Sequence, residues 1–402
     1  MKAYKVRLEL NQAQTQWCRR CAGAARLVYN WGLAECVRQY EAHRADPTLP
    51  KPSPYSLCTQ FNAIKREQYP WITELPYPIV GDTFYCLNQA YQNYFRQRQD
   101  GTVARRIQQL KHLGKWETHC ARRRRQQLPT DPGYPQYRRR NGRQSFQLRS
   151  VKVETDRVYL PRLGWVRIRP AGYIPVGAQY GVKATISLHG KHWYIAILVT
   201  NDTPPTVQLH DTILGIDFGI HQLAVVSNGR VFENPRALRK RLCQLKRLQR
   251  EYRHRTRGSQ RQAETLVKIR VLHARIQDIR RWHLHQISDY VTAKCKPKII
   301  VIEDLNVSGM LKNHCLAQAI ADVGFYELRR QIEYKAARLG IQVIIADRWE
   351  PSSKTCSRCG HVKPVLTLDE REYHCEICGL QIDRDLNAAR NLAAYGQRSL
   401  TD

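Results

Sequence analysis

Four cysteines near the C-terminus constrain the fold of this chain more than any other feature of its sequence. Cys356, Cys359, Cys375 and Cys378 form two C-x2-C pairs separated by 15 residues. Each pair forms a turn that directs two thiolates at one ion, and two such turns complete the tetrahedral shell of a structural Zn2+. The sequence therefore predicts one structural zinc per chain, with no open coordination position for catalysis.

The segment that follows the cysteines predicts a helix that begins with acids. Residues 383–391 read D-R-D-L-N-A-A-R-N, which places Asp383 and Asp385 at the helix start. Because the zinc shell is closed, any catalytic chemistry in this region has to involve these carboxylates.

Two apolar segments elsewhere also end on acids. Residues 213–219 contain Asp217, and residues 298–304 contain Glu303 next to Asp304. A charge directly after a buried strand lies at the edge of a sheet, where separate strands bring carboxylates together. Taken singly, each acid is better explained as an exposed strand end. Strand, strand and helix start in this order predict an RNase H-like nuclease site, in which two Mg2+ ions neutralise the carboxylates and hydrolyse a phosphodiester.

The charge of the chain indicates a polyanionic partner. Lys and Arg number 66 against 34 Asp and Glu, a net charge of +32. The surplus is concentrated: residues 96–149 contain 15 Lys or Arg and three acids, and residues 236–281 contain 16 and three. Two separate basic tracts favour a long nucleic-acid ligand bound through its phosphates.

The first half of the chain changes from helical to β periodicity. Apolar spacing predicts helices over residues 11–43, 56–68 and 82–99, the first with a capping box of Asn11 and Gln14. Period-two segments then predict strands over residues 151–154, 157–160, 165–168, 184–188 and 192–199. We expect these strands, with one over residues 5–10, to close into a small β-barrel. The Pro-rich residues 202–205 are predicted to be a linker.

The second half has an α/β pattern. The Asn228-Gly229 pair predicts a hairpin turn after an apolar strand. Residues 236–294 predict two long basic helices broken near Gly258, and a single helix over residues 316–339 is expected to lead into a strand at 341–346. The fold class is therefore multi-domain α/β and α+β.

The sequence shows no sign of export. Residues 1–5 lack the apolar stretch of a signal peptide, and no window is apolar enough to span a bilayer. The 13 cysteines are an odd number and form no disulfide framework. We expect a cytoplasmic, nucleoid-associated prokaryotic protein with no membrane partner.

Four motifs resemble those of TnpB, the transposon-encoded RNA-guided nuclease ancestral to type V CRISPR effectors. They lie at residues 214–220 (L-G-I-D-F-G-I), 300–307 (I-V-I-E-D-L-N-V), 351–360 (P-S-S-K-T-C-S-R-C-G) and 383–391. Residues 24–31 and 160–166 are also similar, so the resemblance covers nearly the whole chain.

The resemblance implies a fold, a function and a set of site residues. It implies a RuvC nuclease domain (204–402) that contains a basic helical insertion (about 236–294) and the zinc ribbon (about 350–381). It further implies a wedge-like β-barrel (1–10 and 128–203) and a helical recognition domain (11–127). The implied partners are a guide RNA from the transposon end and double-stranded target DNA, which is cleaved beside a short flanking motif. The implied Mg2+ ligands are Asp217, Glu303 and Asp385, with Asp304 and Asp383 in supporting or capping roles.

Two other functions share part of this pattern. A DDE transposase has a similar arrangement of acids, but the four-cysteine ribbon and the D-R-D-x-N-A helix do not belong to it. A nuclease-inactive relative would repress transcription by guided DNA binding, although all three acids are present here. The helix over residues 83–97 carries amides at Asn88, Gln89, Gln92 and Asn93 that could read the flanking motif, and it is equally well explained as a solvated face.

Overall fold

The computed structural model describes residues 2–200, 207–313, 315–367 and 370–400. The chain divides into two compact units, Met1–Asp202 and Thr203–Asp402. The predicted linker over residues 202–205 lies outside the described residues. Within these ranges no helix is both long and apolar enough to cross a membrane.

A seven-stranded antiparallel sheet forms one layer of the first unit. Its strands are β1 Lys2–Glu9, β2 Ser145–Arg149, β3 Lys152–Val153, β4 Arg157–Leu160, β5 Gly164–Arg169, β6 Tyr180–His189 and β7 His192–Val199, in the spatial order β2-β6-β7-β1-β5-β4-β3. Alternate residues are buried, as the period of two predicts. The described ladder ends at β2 and β3, so the expected closure into a barrel is not confirmed. Strand β2 was not predicted.

Five helices complete the first unit. They are α1 Gln12–Ala45, α2 Pro54–Gln68, α3 Pro78–Gln99, α4 Thr102–His112 and α5 Trp116–Arg124. The predicted capping box is confirmed: the Asn11 side chain accepts the Gln14 N–H at 2.8 Å, and the Gln14 side chain accepts the Asn11 N–H at 3.0 Å. Helices α4 and α5 were not predicted; α4 has Val103, Ile107 and Leu110 at helical spacing, whereas α5 is too rich in charged residues to show an apolar face.

The second unit is built on a five-stranded mixed sheet. Its strands are β8 His210–Asp217, β9 Gln222–Val226, β10 Val231–Glu233, β11 Pro297–Glu303 and β12 Gln342–Ala346, in the order β10-β9-β8-β11-β12. Strands β8, β11 and β12 are parallel, and β9 and β10 are antiparallel. The carboxyl ends of the three parallel strands therefore lie at one edge. This is the RNase H-like sheet that the sequence predicted.

Two long helices lie between β10 and β11, as predicted. They are α6 Leu242–His254 and α7 Gln260–Asp289, and the break between them contains Gly258 at a φ of +84°. A small apolar core joins the two helices through Leu245, Leu248, Leu272 and Ile276. Many of their Lys and Arg side chains remain exposed on the other faces.

The prediction of one helix over residues 316–339 is wrong. After the short helix α8 Val307–Met310, two helices, α9 Ala317–Val323 and α10 Phe325–Leu339, meet at Gly324. Gly324 has a φ of +81°, a conformation that ends a helix. Apolar spacing continues across the break because both helices pack on the same core. Periodicity alone therefore did not reveal the break.

A two-stranded sheet and a final helix follow β12. Strands β13 Glu372–His374 and β14 Gln381–Asp383 pair antiparallel, and α11 Arg384–Arg398 begins directly after β14. The ribbon therefore leads without a linker into the acidic helix.

Candidate active site and metal centre

Asp217 and Glu303 end two adjacent parallel strands at the same level. Ile216 on β8 pairs with Ile302 on β11, and the next residue on each strand is the acid. The last part of each strand, Leu214–Ile216 of β8 and Ile299–Ile302 of β11, is buried, and the β8–β11 ladder ends where both sequences become charged. The structure thus brings these two predicted residues together.

Two glycines let α11 lie directly against this sheet and so bring in Asp385. A Cβ atom at Gly215 on β8 would lie 2.0 Å from the Ala389 carbonyl oxygen of α11. On the helix side, a Cβ atom at Gly396 would lie 2.5 Å from Val301 Cγ2. Only residues without a side chain permit this approach. The first turn of α11, which carries Asp385, is thereby held near the strand ends.

The neighbouring acids have other partners. The Asp383 carboxylate accepts the Leu386 N–H at 2.9 Å and caps α11. Asp304 forms ion pairs with Arg348 at 2.5 Å and with Arg329 at 3.4 Å. Asp383 is thus a helix cap, one of the roles implied by the family resemblance, and a supporting role of Asp304 beside the metal ligands stays a prediction.

The carboxylates perturb one another electrostatically. Burial raises the pKa of Asp217 well above its usual range, and the charges of Glu303 and Asp385 raise it further, while Arg384 opposes the shift. Burial also raises the pKa of Glu303, although a hydrogen bond from Ser352 lowers it. Arg384 therefore compensates the charged form of Asp217 only in part, and a cation would stabilise it further.

A hydrogen-bond network that the sequence did not predict fixes Glu303. Ser352 Oγ donates to Glu303 Oε1 at 2.9 Å, and the Ser352 carbonyl accepts from Asn391 Nδ2 at 2.7 Å. Asn391 and Asn387 of α11 also donate to the Thr355 carbonyl, at 2.6 and 2.7 Å. The motif asparagines therefore hold the segment that leads from the active-site edge into the first cysteine turn.

The four predicted cysteines form one cluster. The Sγ atoms of Cys356 and Cys378 are 3.6 Å apart, as are those of Cys359 and Cys375, and all four atoms lie within 4.8 Å of one another. A tetrahedral ion with a Zn–S bond of about 2.3 Å needs sulfur atoms about 3.8 Å apart. Backbone N–H groups of Cys378 and Ile377 lower the pKa of Cys375 to about 6, which favours the thiolate. The cluster fits a structural zinc site.

The cysteine cluster and the acidic site differ in how close together their ligand atoms lie. Among the described residues, the four cysteines are the only cluster of three or more His, Cys, Asp or Glu side chains with ligand atoms close enough to hold one ion. The three carboxylates are more widely spread than a single-ion shell.

The basic tract of residues 96–149 contains one arginine with a structural role, although the sequence counts it among the cations for nucleic acid. Arg123, within the run 122–125, is only 1% exposed. Its guanidinium donates to four carbonyl oxygens of a Pro-rich loop, those of Pro129, Asp131, Tyr134 and Pro135. The other three arginines of the run are exposed, so they alone remain candidates for nucleic-acid contacts.

The second basic tract is anchored by a buried acid. The Asp322 carboxylate accepts the backbone N–H groups of Leu238 and Arg239 and pairs with Arg280 at 2.6 Å. These contacts tie the start of the tract and the later part of α7 to α9.

Helix α3, in the other unit, carries the amides that could read a flanking motif. Gln92 and Asn93 are exposed on it, and their reading of the motif stays a prediction.

The sheet, its edge acids and the adjoining ribbon define an RNase H-like α/β nuclease domain with an inserted four-cysteine ribbon. A relative from Mycobacterium tuberculosis, named "Putative RNA-guided DNA endonuclease", is 30% identical over 418 residues, which cover 98% of this chain and 86% of the relative. The chain belongs to the TnpB family of transposon-encoded proteins, also called OrfB.

Another relative, three family models and one solved structure are also similar to this chain. "Putative RNA-guided DNA endonuclease InsQ" of Escherichia coli K12 is 29% identical over 419 residues, covering 100% of this chain and 93% of InsQ. Family models match residues 196–314 ("Probable transposase"), 325–392 ("Cas12f1-like, TNB domain") and 1–45 ("Helix-turn-helix domain"). The described part of the last range forms one strand and one uninterrupted helix. A solved structure of CasPhi-2 (Cas12j) bound to crRNA is 12% identical, with a TM-score of 0.45 and coverage of 98% and 97%.

Proposed function

We propose that this protein is an RNA-guided DNA endonuclease that cleaves double-stranded DNA beside a short flanking motif. The observation that carries the proposal is the convergence of Asp217, Glu303 and the start of α11 at one edge of an RNase H-like sheet. Two relatives carry the name "Putative RNA-guided DNA endonuclease", which supports the same activity.

The acidic site is suited to Mg2+. Asp217, Glu303 and Asp385 offer hard oxygen ligands. Burial, together with the charges of Glu303 and Asp385, raises the pKa of Asp217, so a bound cation would stabilise its carboxylate. These carboxylates would hold two Mg2+ ions, whose chemistry when bound is to activate water and to stabilise the leaving oxygen. The protein's part is to hold the carboxylates: the β8–β11 ladder fixes two of them, α11 presents the third, and Ser352 orients Glu303.

The basic tracts are proposed to hold a guide RNA transcribed from the transposon end. An RNA-guided protein recognises the heteroduplex by backbone and shape, so it needs exposed cations rather than base-specific side chains. The exposed Lys and Arg of α6 and α7 and the exposed arginines 122, 124 and 125 meet this need. The proposed division of labour keeps the boundaries inferred from sequence: a wedge of residues 1–10 and 128–203, a recognition domain of residues 11–127 and the nuclease of residues 204–402. We place its site of action at the nucleoid, in the cytoplasm.

A matched pair of substitutions tests the acids. Asp385→Asn and Asp383→Asn each remove one charge, but Asn still caps a helix, so the second variant keeps α11 intact. Plasmid cleavage should be lost in Asp385→Asn, Asp217→Ala and Glu303→Ala, while binding of RNA and target is kept. Cleavage lost only in Asp383→Asn would overturn the assignment.

A second experiment tests guidance. The protein is purified from cells that carry its native flanking DNA, the retained RNA is sequenced, and the guide end of that RNA is changed. Cleavage should move to the new matching site. Guided binding without cleavage would indicate the repressor function, and joining of transposon ends without RNA would indicate a transposase.

A further inference from the structure

A cavity of about 440 Å³ lies in the first unit, where β1 leads into α1. Its lining comes from the last residues of β1, the first turn of α1 and the first residues of β7 with the turn before them. Cavities of this volume are within the range of small-ligand sites. We call it the β1–α1 cavity.

Two buried hydrogen-bond donors of the β1–α1 cavity have no acceptor. Trp193 lines the cavity and is only 2% exposed, and its Nε1–H has no hydrogen-bond partner among the residues that the structure describes. Arg7 also lines the cavity, and its buried Nε–H is likewise unpartnered within the described part of the chain. Burying a donor without an acceptor is unfavourable, so a ligand with acceptor oxygens would stabilise both groups.

Basic side chains and a helix terminus make the β1–α1 cavity electropositive. Arg7, Lys191 and His192 all line it. Burial lowers the pKa of His192, and the positive charges of Arg7 and Lys191 lower it further, so both cations act at the same place. Asn11, the N-cap of the 34-residue helix α1, lies in the same lining, and the first N–H groups of a helix attract anions.

Glu9 also lines the cavity, but its charge is compensated. Its carboxylate accepts from Arg169 Nε at 2.7 Å and lies 3.6 Å from Arg7 Nη2. A guanidinium has five donors, so Arg7 can contact Glu9 and a ligand together. The remaining charge of the lining is positive, which favours an anion.

We propose that the β1–α1 cavity binds a phosphate monoester, the terminal phosphate group of a nucleotide. Such a group carries about two negative charges and three acceptor oxygens, so Trp193, Arg7 and the first turn of α1 can donate to it together. It is linked to its nucleotide on one side only and can therefore reach a buried donor. An internal phosphate of a strand is linked on both sides and is held further out.

Binding is measured at Trp193 itself. The full-length, RNA-free chain is labelled with 5-fluorotryptophan, which gives one 19F NMR signal for each of its eight tryptophans, and Trp193→Phe identifies the signal of Trp193. Inorganic phosphate at up to about 10 mM, above the Kd of about 1 mM of a weak site, should shift that signal. AMP should shift it as well, and adenosine should not. The signal of Trp282, identified in the same way and 58% exposed in the other unit, should stay unchanged.

Two lysine variants separate a built site from general attraction to a basic protein. Lys191 and Lys111 are both exposed, and Lys111 lies on α4, outside the lining of the cavity. Lys191→Ala should weaken phosphate binding about tenfold, the effect of losing one hydrogen bond to a charged group, and Lys111→Ala should leave it unchanged. The proposal is refuted if phosphate and AMP leave the Trp193 signal in place, or if the two variants bind equally.

The protein purified with its RNA distinguishes the two sources of a phosphate monoester. If AMP shifts the Trp193 signal of that complex, the natural ligand is a free nucleotide. If AMP does so only after a phosphatase has removed the terminal phosphate of the RNA, the natural ligand is that RNA end. If AMP binds the RNA-free chain but not the phosphatase-treated complex, the RNA covers the cavity through internal phosphates and the monoester proposal is wrong. Only this comparison depends on the proposed RNA partner.

Discussion

Replacing Gly215 by alanine should separate the catalytic acids with a single methyl group. The added Cβ would lie 2.0 Å from the Ala389 carbonyl oxygen, about 1.4 Å short of the 3.4 Å at which ordinary contact begins. The obstacle is the backbone of α11, which cannot rotate away as a side chain could. Helix α11 has to move by roughly that distance, and Asp385 moves with it. A displacement of about 1 Å at a reacting centre can cost about 100-fold in rate.

Gly215→Ala should therefore lower the guided cleavage rate about 100-fold while costing only about 1–3 kcal/mol of stability, the usual range for overpacking. Cleavage is measured as the single-turnover rate on a plasmid target, and stability by urea denaturation. The control is Gly23→Ala, because a Cβ at Gly23 in α1 meets nothing within 4 Å. A Gly215→Ala protein that cuts at the parental rate would refute the reasoning that this glycine sets the position of α11.

Four further predictions follow from the sites. Folding raises the pKa of Asp217, so the Mg2+-free protein loses stability as pH rises from the ordinary carboxyl range through the raised pKa. In urea denaturation, Asp217→Asn should therefore be more stable than the parent at about pH 7. Near pH 4, about the ordinary carboxyl pKa, the two proteins should be equally stable. Cys375→Ser should reduce zinc from one ion per chain to none by elemental analysis and destabilise the second unit. Arg123→Ala should cost about 2 kcal/mol or more in urea denaturation, because four carbonyl oxygens lose their donor. Ser352→Ala should raise the pKa of Glu303 further and shift the acidic limb of the cleavage pH profile to higher pH.

The sequence predicted those parts of the fold in which local pattern and tertiary environment agree. Strands β4 and β7 have the predicted bounds, because alternation along them matches one buried and one exposed face. The break near Gly258 and the capping box at Asn11 were also predicted, since local residue chemistry decides both. Helix α5 was missed because its buried Arg123 reads as a surface charge unless the loop it binds is known.

The sequence likewise predicts some parts of the candidate site, and others need the structure. The cysteine spacing specifies the cluster without tertiary information, because two knuckle turns suffice to gather the ligands. The sequence places Asp217 and Glu303 at strand ends, but only the parallel pairing of β8 with β11 places them side by side. Choosing between Asp383 and Asp385 as the third acid relied on the family pattern. In the structure Asp383 caps α11, whereas the charge of Asp385 contributes more to the raised pKa of Asp217.

The location of the ribbon gives it a role beyond its own stability. Asn387 holds the first cysteine turn, because its Oδ1 accepts the Ser357 N–H at 2.9 Å. The β13–β14 hairpin ends on Asp383, which caps α11. Between β12 and that turn, Ser352 contacts both Glu303 and Asn391. A zinc ion held by the four cysteines would therefore fix both ends of the connection from the sheet edge to the acidic helix. Ser352, Asn387 and Asn391 lie within two of the family motifs, but only the structure reveals which groups they contact.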